Sequence, residues 1–137
     1  MGLYLCIFDG DEEVEGVEVG SYADFNFFRE TVVSIVEQGQ QGSKCPILTN
    51  HHDSDGEWSP DEASQLLQEF DLIEKKLSEK PPVDVESPWK NVVAKKTGVV
   101  PRTLLDCFFD VDGEPLVLRL RGLAEKSVQE RLPILFQ

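Results

Sequence analysis

The sequence predicts a single α/β (or α+β) domain spanning residues 1–137. Its expected core is a mixed, mainly parallel sheet of four to five strands with three main helices and one short helix. Three observations predict this. Short apolar runs alternate with segments whose apolar residues recur at helical spacing. Hydrophobic residues make up 40% and charged residues 28%, enough apolar material for a core in a chain of single-domain length. Cap-like dipeptides and tripeptides mark helix starts at Ser21, Ser59-Pro60 and Ser87-Pro88.

Leu3–Phe8 is apolar throughout, so it reads as a central strand covered on both faces. Val17 and Val19 flank Glu18, the alternation of an edge strand hairpinned to the first. Ser21 with Asp24 is a capping box variant, and Phe25, Phe28, Val32, Ile35 and Val36 form one helical face, closed by Gly39. Pro46–Thr49 reads as a short strand, and His51–Trp58 as a polar acidic loop. Ser59-Pro60-Asp61-Glu62 opens a helix with buried stripe Leu66, Phe70, Ile73 and Leu77, and with Glu69, Glu74, Lys75 and Lys76 outside it. Pro81 to Glu86 resembles a linker. Trp89–Lys96 is a short helix ended by Gly98, and Thr103–Val111 is strand-like. Leu116, Val117, Leu120, Leu123, Ala124 and Val128 share a helical face over about 114–130. Leu132–Phe136 is the last strand.

The formal charge is −13, from 26 acids and 13 bases, and it is unevenly placed. Residues 1–62 hold 14 acids and 2 bases, a net of −12. Such a chain repels nucleic acid and anionic membranes, and its natural complement is a basic protein or a cation. No apolar stretch reaches the roughly 20 residues needed to cross a bilayer. The apolar run at the start is too short for a signal-peptide core. Cys6, Cys45 and Cys107 lie in or beside apolar runs with no short spacing, which reads as buried reduced thiols and a cytoplasmic setting.

Three acidic turns each follow an expected strand: Asp9 to Glu13, Asp53 to Glu57, and Asp110 to Glu114. In a parallel sheet all three would line one edge, where open α/β sheets bind ligands. Taken singly, each turn reads better as a solvated turn or helix cap, and it is their shared placement that favours a functional acidic edge for the group. The second turn resembles part of a calcium loop. Asp53, Asp55, Ser59 and Glu62 fall at ligand positions around Gly56, but His51 stands at the first position and a strand precedes the loop. Adjacent His51 and His52 point apart on extended chain and make a poor zinc pair. In the third turn, Asp110-Val111-Asp112-Gly113 resembles the first motif of haloacid-dehalogenase-type phosphatases. Glu114-Pro115 stands where Thr belongs, and only 24 residues follow Gly113. No other enzyme signature appears, so no catalytic residue and no cofactor is expected. Asp53, Asp55, Glu62, Asp110 and Asp112 are the weak candidates for holding Ca²⁺ or Mg²⁺, and a metal-binding module or degenerate phosphohydrolase is the alternative reading.

Five stretches together carry a family resemblance. They are the opening Met-Gly-Leu-Tyr-Leu-Cys-Ile-Phe-Asp, the stretch Glu15 to Phe25, the loop Asp55-Gly56-Glu57-Trp58-Ser59-Pro60, the turn Asp110 to Leu116, and the ending Pro133-Ile134-Leu135-Phe136-Gln137. This ordered set resembles immunity protein 70, a family from bacterial polymorphic toxin systems, over essentially the whole chain. The resemblance implies a non-enzymatic protein that binds and neutralises a cognate toxin inside the producing cell. It assigns no contact residues. Composition fits a basic toxin domain, such as a nuclease, which an acidic inhibitor can reach by electrostatic steering and block as a phosphate mimic. The contact residues expected on that reading are Asp9, Asp11, Glu12, Glu13, Glu15, Asp53, Asp55 and Glu57, with Trp58 as an anchor buried on docking.

Overall fold

A computed structural model of the chain describes residues 2–51, 56–83, 94–98 and 100–137. Strand β1 (Gly2–Asp9) and strand β2 (Glu12–Ser21) form a long antiparallel hairpin. Its two-residue turn places Gly10 at φ 65°, a value a side chain would oppose. Helix α1 (Tyr22–Thr31) follows and widens into a π-helical turn at Val32–Val36. A single turn of helix, α2 (Pro46–Thr49), precedes the two-residue strand β3 (Glu57–Trp58). The long helix α3 (Pro60–Ser78), a 3₁₀ turn at Leu105–Cys107, helix α4 (Leu116–Glu130) and strand β4 (Ile134–Phe136) complete the order.

The sheet runs β2-β1-β4-β3, and each neighbouring pair is antiparallel. This corrects the expectation of a mainly parallel sheet: the fold is α+β. Parallel neighbours need a crossover between strands. Here β2 returns directly from β1, and β4 reaches β1 only after the last helix, running the opposite way.

The contiguous core lies on one face of the sheet. Leu3, Leu5, Ile7, Val17, Val19, Ile134 and Phe136 point there and meet Phe25, Phe28 and Val32 of the first helix, Leu66, Phe70, Ile73 and Leu77 of α3, and Leu116, Leu120 and Leu123 of α4. The expected helical stripes are therefore the core faces, and only Ile35 and Val128 stay partly exposed. Both expected capping boxes form, at Ser21 with Asp24 and at Ser59 with Glu62. Residues 94–97 are helical and end at Gly98, whose amide donates to the Ala94 carbonyl at 2.8 Å. The rest of the expected helix from Trp89 lies outside the described residues.

Two expected strands are not strands. Thr103–Val111 becomes a 3₁₀ turn and a plug. Leu104, Cys107 and Phe108 are buried, and the Phe108 ring sits 5.1 Å from that of Phe28. Asp106 holds the turn by accepting from the amides of Arg102 and Thr103. Pro46–Thr49 becomes α2 because two buried carboxylates take its amides. Glu37 accepts from Lys44 and Cys45 at 3.0 and 2.8 Å. Glu69 accepts from Ile47 and Leu48 at 3.2 and 3.1 Å. Glu69 was placed outside the α3 stripe by its charge, yet it is buried. Carboxylates at a helix N-terminus satisfy amides that have no partner within the helix.

These two acids titrate in opposite directions. Burial pushes Glu69 up to about 7, against the pull of the Leu48 and Ile47 amides, and nearby Glu37 pushes it further. Burial also raises Glu37, but the amides of Cys45, Lys44 and Gly42 outweigh it and hold Glu37 below its ordinary value. Between the ordinary 4.5 and about 7, folded Glu69 keeps a proton that the unfolded chain has released, so stability falls as pH rises through that window. The contribution of Glu37 is present above its ordinary value and is lost as pH falls below it.

Trp58 is fully buried beside this clamp. Its Nε1 donates to the Ile47 carbonyl at 3.1 Å, and its ring meets Phe136 edge-on at 4.7 Å. Two predictions follow from the clamp and its anchor. Urea midpoints should be highest near about pH 5 and decline toward neutral pH, and Glu69→Gln should flatten that decline relative to the parent. An unchanged slope in the variant refutes the role given to Glu69. Trp58→Ala should cost roughly 3–5 kcal/mol in denaturant unfolding, the price of a large buried cavity.

Candidate functional site

The hairpin between β1 and β2 carries the densest exposed charge. Asp9, Asp11, Glu12, Glu13 and Glu15 are all exposed, and no Lys or Arg occurs before Arg29. Cross-strand pairing sets Asp9 opposite Glu12 and Phe8 opposite Glu13. Like charges directly opposite repel, so this end of the ribbon is held by its turn and by the strands below it. Beyond Phe8 it has no neighbour in the sheet. The β1–β4 register runs Leu5 opposite Phe136 and Cys6 opposite Leu135, and β4 begins at Ile134, just after Pro133. Pro133 has no N–H to extend the ladder.

Tyr4 steadies one of these acids. Its hydroxyl donates to Glu13 Oε1 at 2.5 Å, and that bond is the main reason the phenol is pushed up to about 12. The ring can lie across the hairpin only because residue 16 is glycine. A Cβ at Gly16 would stand 2.0 Å from the Tyr4 hydroxyl.

The other expected contacts divide. Asp53 and Asp55 lie outside the described residues. Glu57 is exposed on β3, opposite Leu135. Trp58, expected as a surface anchor, is 1% exposed and belongs to the core. His51 stacks on the Phe136 ring at 4.0 Å.

The first and third acidic turns and the described end of the second, Gly56 and Glu57, do not share an edge, because the strands expected to aim them together are not parallel. The hairpin lies at the end of β1. Gly56, which leads into β3, accepts from the Phe136 amide, level with the first half of β1. The Asp110 turn docks beside β2, where the Val111 amide donates to the Glu18 carbonyl at 3.3 Å.

Two of the weak metal candidates, Glu62 and Asp110, have other partners. Glu62 Oε1 accepts from the Ser59 amide at 3.0 Å, completing the cap of α3. Asp110 is buried. Its Oδ1 accepts from the amides of Asp112 and Glu114 at 2.9 and 3.0 Å, and its Oδ2 faces Arg119 Nε at 3.2 Å. Arg119 Nη2 in turn donates to the Gly16 carbonyl at 3.3 Å. Asp110 thus ties the turn and α4 to the outer edge of β2. Asp112 is exposed. Among the described residues no three His, Cys, Asp or Glu side chains are grouped as a metal would need.

Cys6, Cys45 and Cys107 are buried thiols, as expected. Burial first, then Glu69 and Glu37, push the Cys45 thiol up to about 12. Thiols raised in this way are poor nucleophiles. Among the described residues no helix is long and apolar enough to cross a membrane.

Sequence reasoning missed the clamp of Glu37 and Glu69, the Arg119 partner of Asp110, and the face of the sheet that carries Tyr4, Phe8 and Leu135. The signal for the last was in β1 itself. Its even positions hold Tyr4, Cys6 and Phe8, while its odd positions hold the aliphatic Leu3, Leu5 and Ile7.

No curated protein and no solved structure matches the chain. The immunity protein 70 family model matches residues 3–136, nearly the full length. With that span covered, the chain belongs to the immunity protein 70 family.

Proposed function

We propose that this immunity protein acts without catalysis, by binding the toxin domain that its own cell produces and covering the toxin's working surface. The observation that carries the reading is the exposed acidic hairpin, Asp9 to Glu15, in a chain of net charge −13. Its chemical complement is a basic surface. A toxin that works on nucleic acid needs such a surface to hold phosphates. Carboxylates on a projecting ribbon can occupy the same positions and can speed encounter by long-range attraction. Glu57 adds a further exposed carboxylate on β3. Binding in the cytoplasm, before the toxin leaves the cell, is part of the same proposal. The toxin is taken to be basic, and a nuclease fits that chemistry best.

Among the described residues a metal-dependent role has no supporting geometry, since Glu62 and Asp110 are already engaged as a helix cap and an ion pair.

The test is association with the purified toxin domain encoded beside this protein's gene. Reversing Asp11, Glu12 and Glu15 together to Lys should slow association at least about tenfold at low salt and flatten its salt dependence. These side chains are exposed, so the melting temperature should hold. Unchanged affinity and unchanged salt dependence would show that the hairpin is not the contact.

A further inference from the structure

One face of the sheet covers the core and the other does not. Strand residues alternate between faces. With Leu3, Leu5 and Ile7 inward, Tyr4, Cys6 and Phe8 of β1 point to the opposite face. Leu135, paired with Cys6, points there from β4. None of these four belongs to the contiguous core. Tyr4, Phe8 and Leu135 are half-buried, and Cys6 is fully covered at the centre. Among the described residues the two inner strands therefore carry a half-buried apolar stripe on the face away from the core.

The two outer strands carry acids on the same face. Register places Glu18 beside Tyr4 and Glu13 beside Phe8 on β2, and Glu57 beside Leu135 on β3. All three are exposed. Three strand spacings separate β2 from β3, so the two acidic margins stand roughly 14 Å apart. An apolar centre with a polar margin is the anatomy of a protein interface, and aromatic side chains such as Tyr4 and Phe8 are its usual anchors.

We propose that this open sheet face is the main docking surface of the protein, and that its occupant is a basic surface of the cognate toxin. The side of the toxin that fits would present an aliphatic or aromatic side chain to the Tyr4–Phe8–Leu135 stripe, flanked by Lys or Arg reaching Glu13, Glu18 and Glu57. Charge selects this occupant. A second copy of the chain would set acidic margins against acidic margins, and an anionic membrane or nucleic acid would meet the same repulsion. Tyr4 is presented ready-made, because its bond to Glu13 and the space left by Gly16 fix the ring before any partner arrives. Ordering paid in advance favours affinity. The proposal rests on the toxin-binding reading above and extends it from the hairpin tip to the whole face.

The experiment uses the full chain and the purified toxin domain of the adjacent gene. Phe8→Ala and Leu135→Ala should each weaken binding at least about tenfold, chiefly through faster dissociation, with little change in salt dependence. Glu18→Lys with Glu57→Lys should weaken it with a reduced salt dependence, and because both side chains are exposed this pair reads the face even if an apolar variant proves unstable. Leu118→Ala, at an exposed position on α4, should bind like the parent.

If the Phe8, Leu135 and Glu18/Glu57 variants all bind within about twofold of the parent, the face is not the interface. Weakening by the hairpin reversal alone would then leave the toxin-binding function standing and overturn only this extension. Absence of any binding by the parent would overturn both. Sedimentation of the chain alone as a dimer that Phe8→Ala disperses would overturn the choice of occupant.

Discussion

The structure depends on a strand that has two apolar faces and only one core to serve. β1 lies inside the sheet, between β2 and β4, and sends Leu3, Leu5 and Ile7 into the helices. Without that row the hairpin would have nothing to pack on, and α1, α3 and α4 would lose their common floor. Among the described residues the opposite row, Tyr4, Cys6 and Phe8, lies outside the contiguous core. It is shielded by its own geometry: the Tyr4 ring folds over Gly16, and Cys6 disappears beneath its neighbours. Burial of the first row drives folding at about 25 cal/mol per Å² of apolar surface. Half-exposure of the second leaves part of the same driving force unspent.

Buried acids organise the rest. In an acidic chain the carboxylates that matter most for architecture are those that leave the surface. Glu37 and Glu69 reach a loop from two helices and turn Pro46–Thr49 into a helical cap. That cap then accepts the Trp58 indole through the Ile47 carbonyl. Asp110 takes three partners, two amides of its own turn and the Arg119 guanidinium, and so fastens α4 to the edge of β2. Each of these buried acids is met by amides or by a cation, as buried polar groups require.

Much of the fold was legible because local chemistry and global fold agree there. Ser21 and Ser59 cap where their sequences say, and the stripes Leu66-Phe70-Ile73-Leu77 and Leu116-Leu120-Leu123 face the core. What failed was direction and partnership. Strand polarity is a property of pairing between distant residues, such as Leu5 with Phe136, and no local pattern in β1 or β4 encodes it. Apolar runs of four to nine residues, as at 46–49 and 103–111, do not separate a buried turn from a strand. Glu69 looked like an outward charge because its partners, two backbone amides, carry no sequence signature. For the site, the acidic hairpin was readable from composition, since its residues are neighbours in the chain. The open face was not, because it is assembled from Tyr4, Leu135 and Glu57, which only the register brings together.

The hairpin turn has a consequence for how such a protein can change over time. Residues 9–13 bury nothing and sit beyond the last strand neighbour. Apart from Gly10, whose φ of 65° a side chain opposes, and Glu13, which holds Tyr4, exchanging them costs the core almost no free energy, so the tip can drift or alter its charge while the scaffold below stays constant. On the proposed reading, recognition by the tip and folding are thus encoded in separate stretches of the same two strands, whereas recognition by the sheet face shares its strands with the core. A lineage confronted with an altered adversary could revise the tip without jeopardising the core.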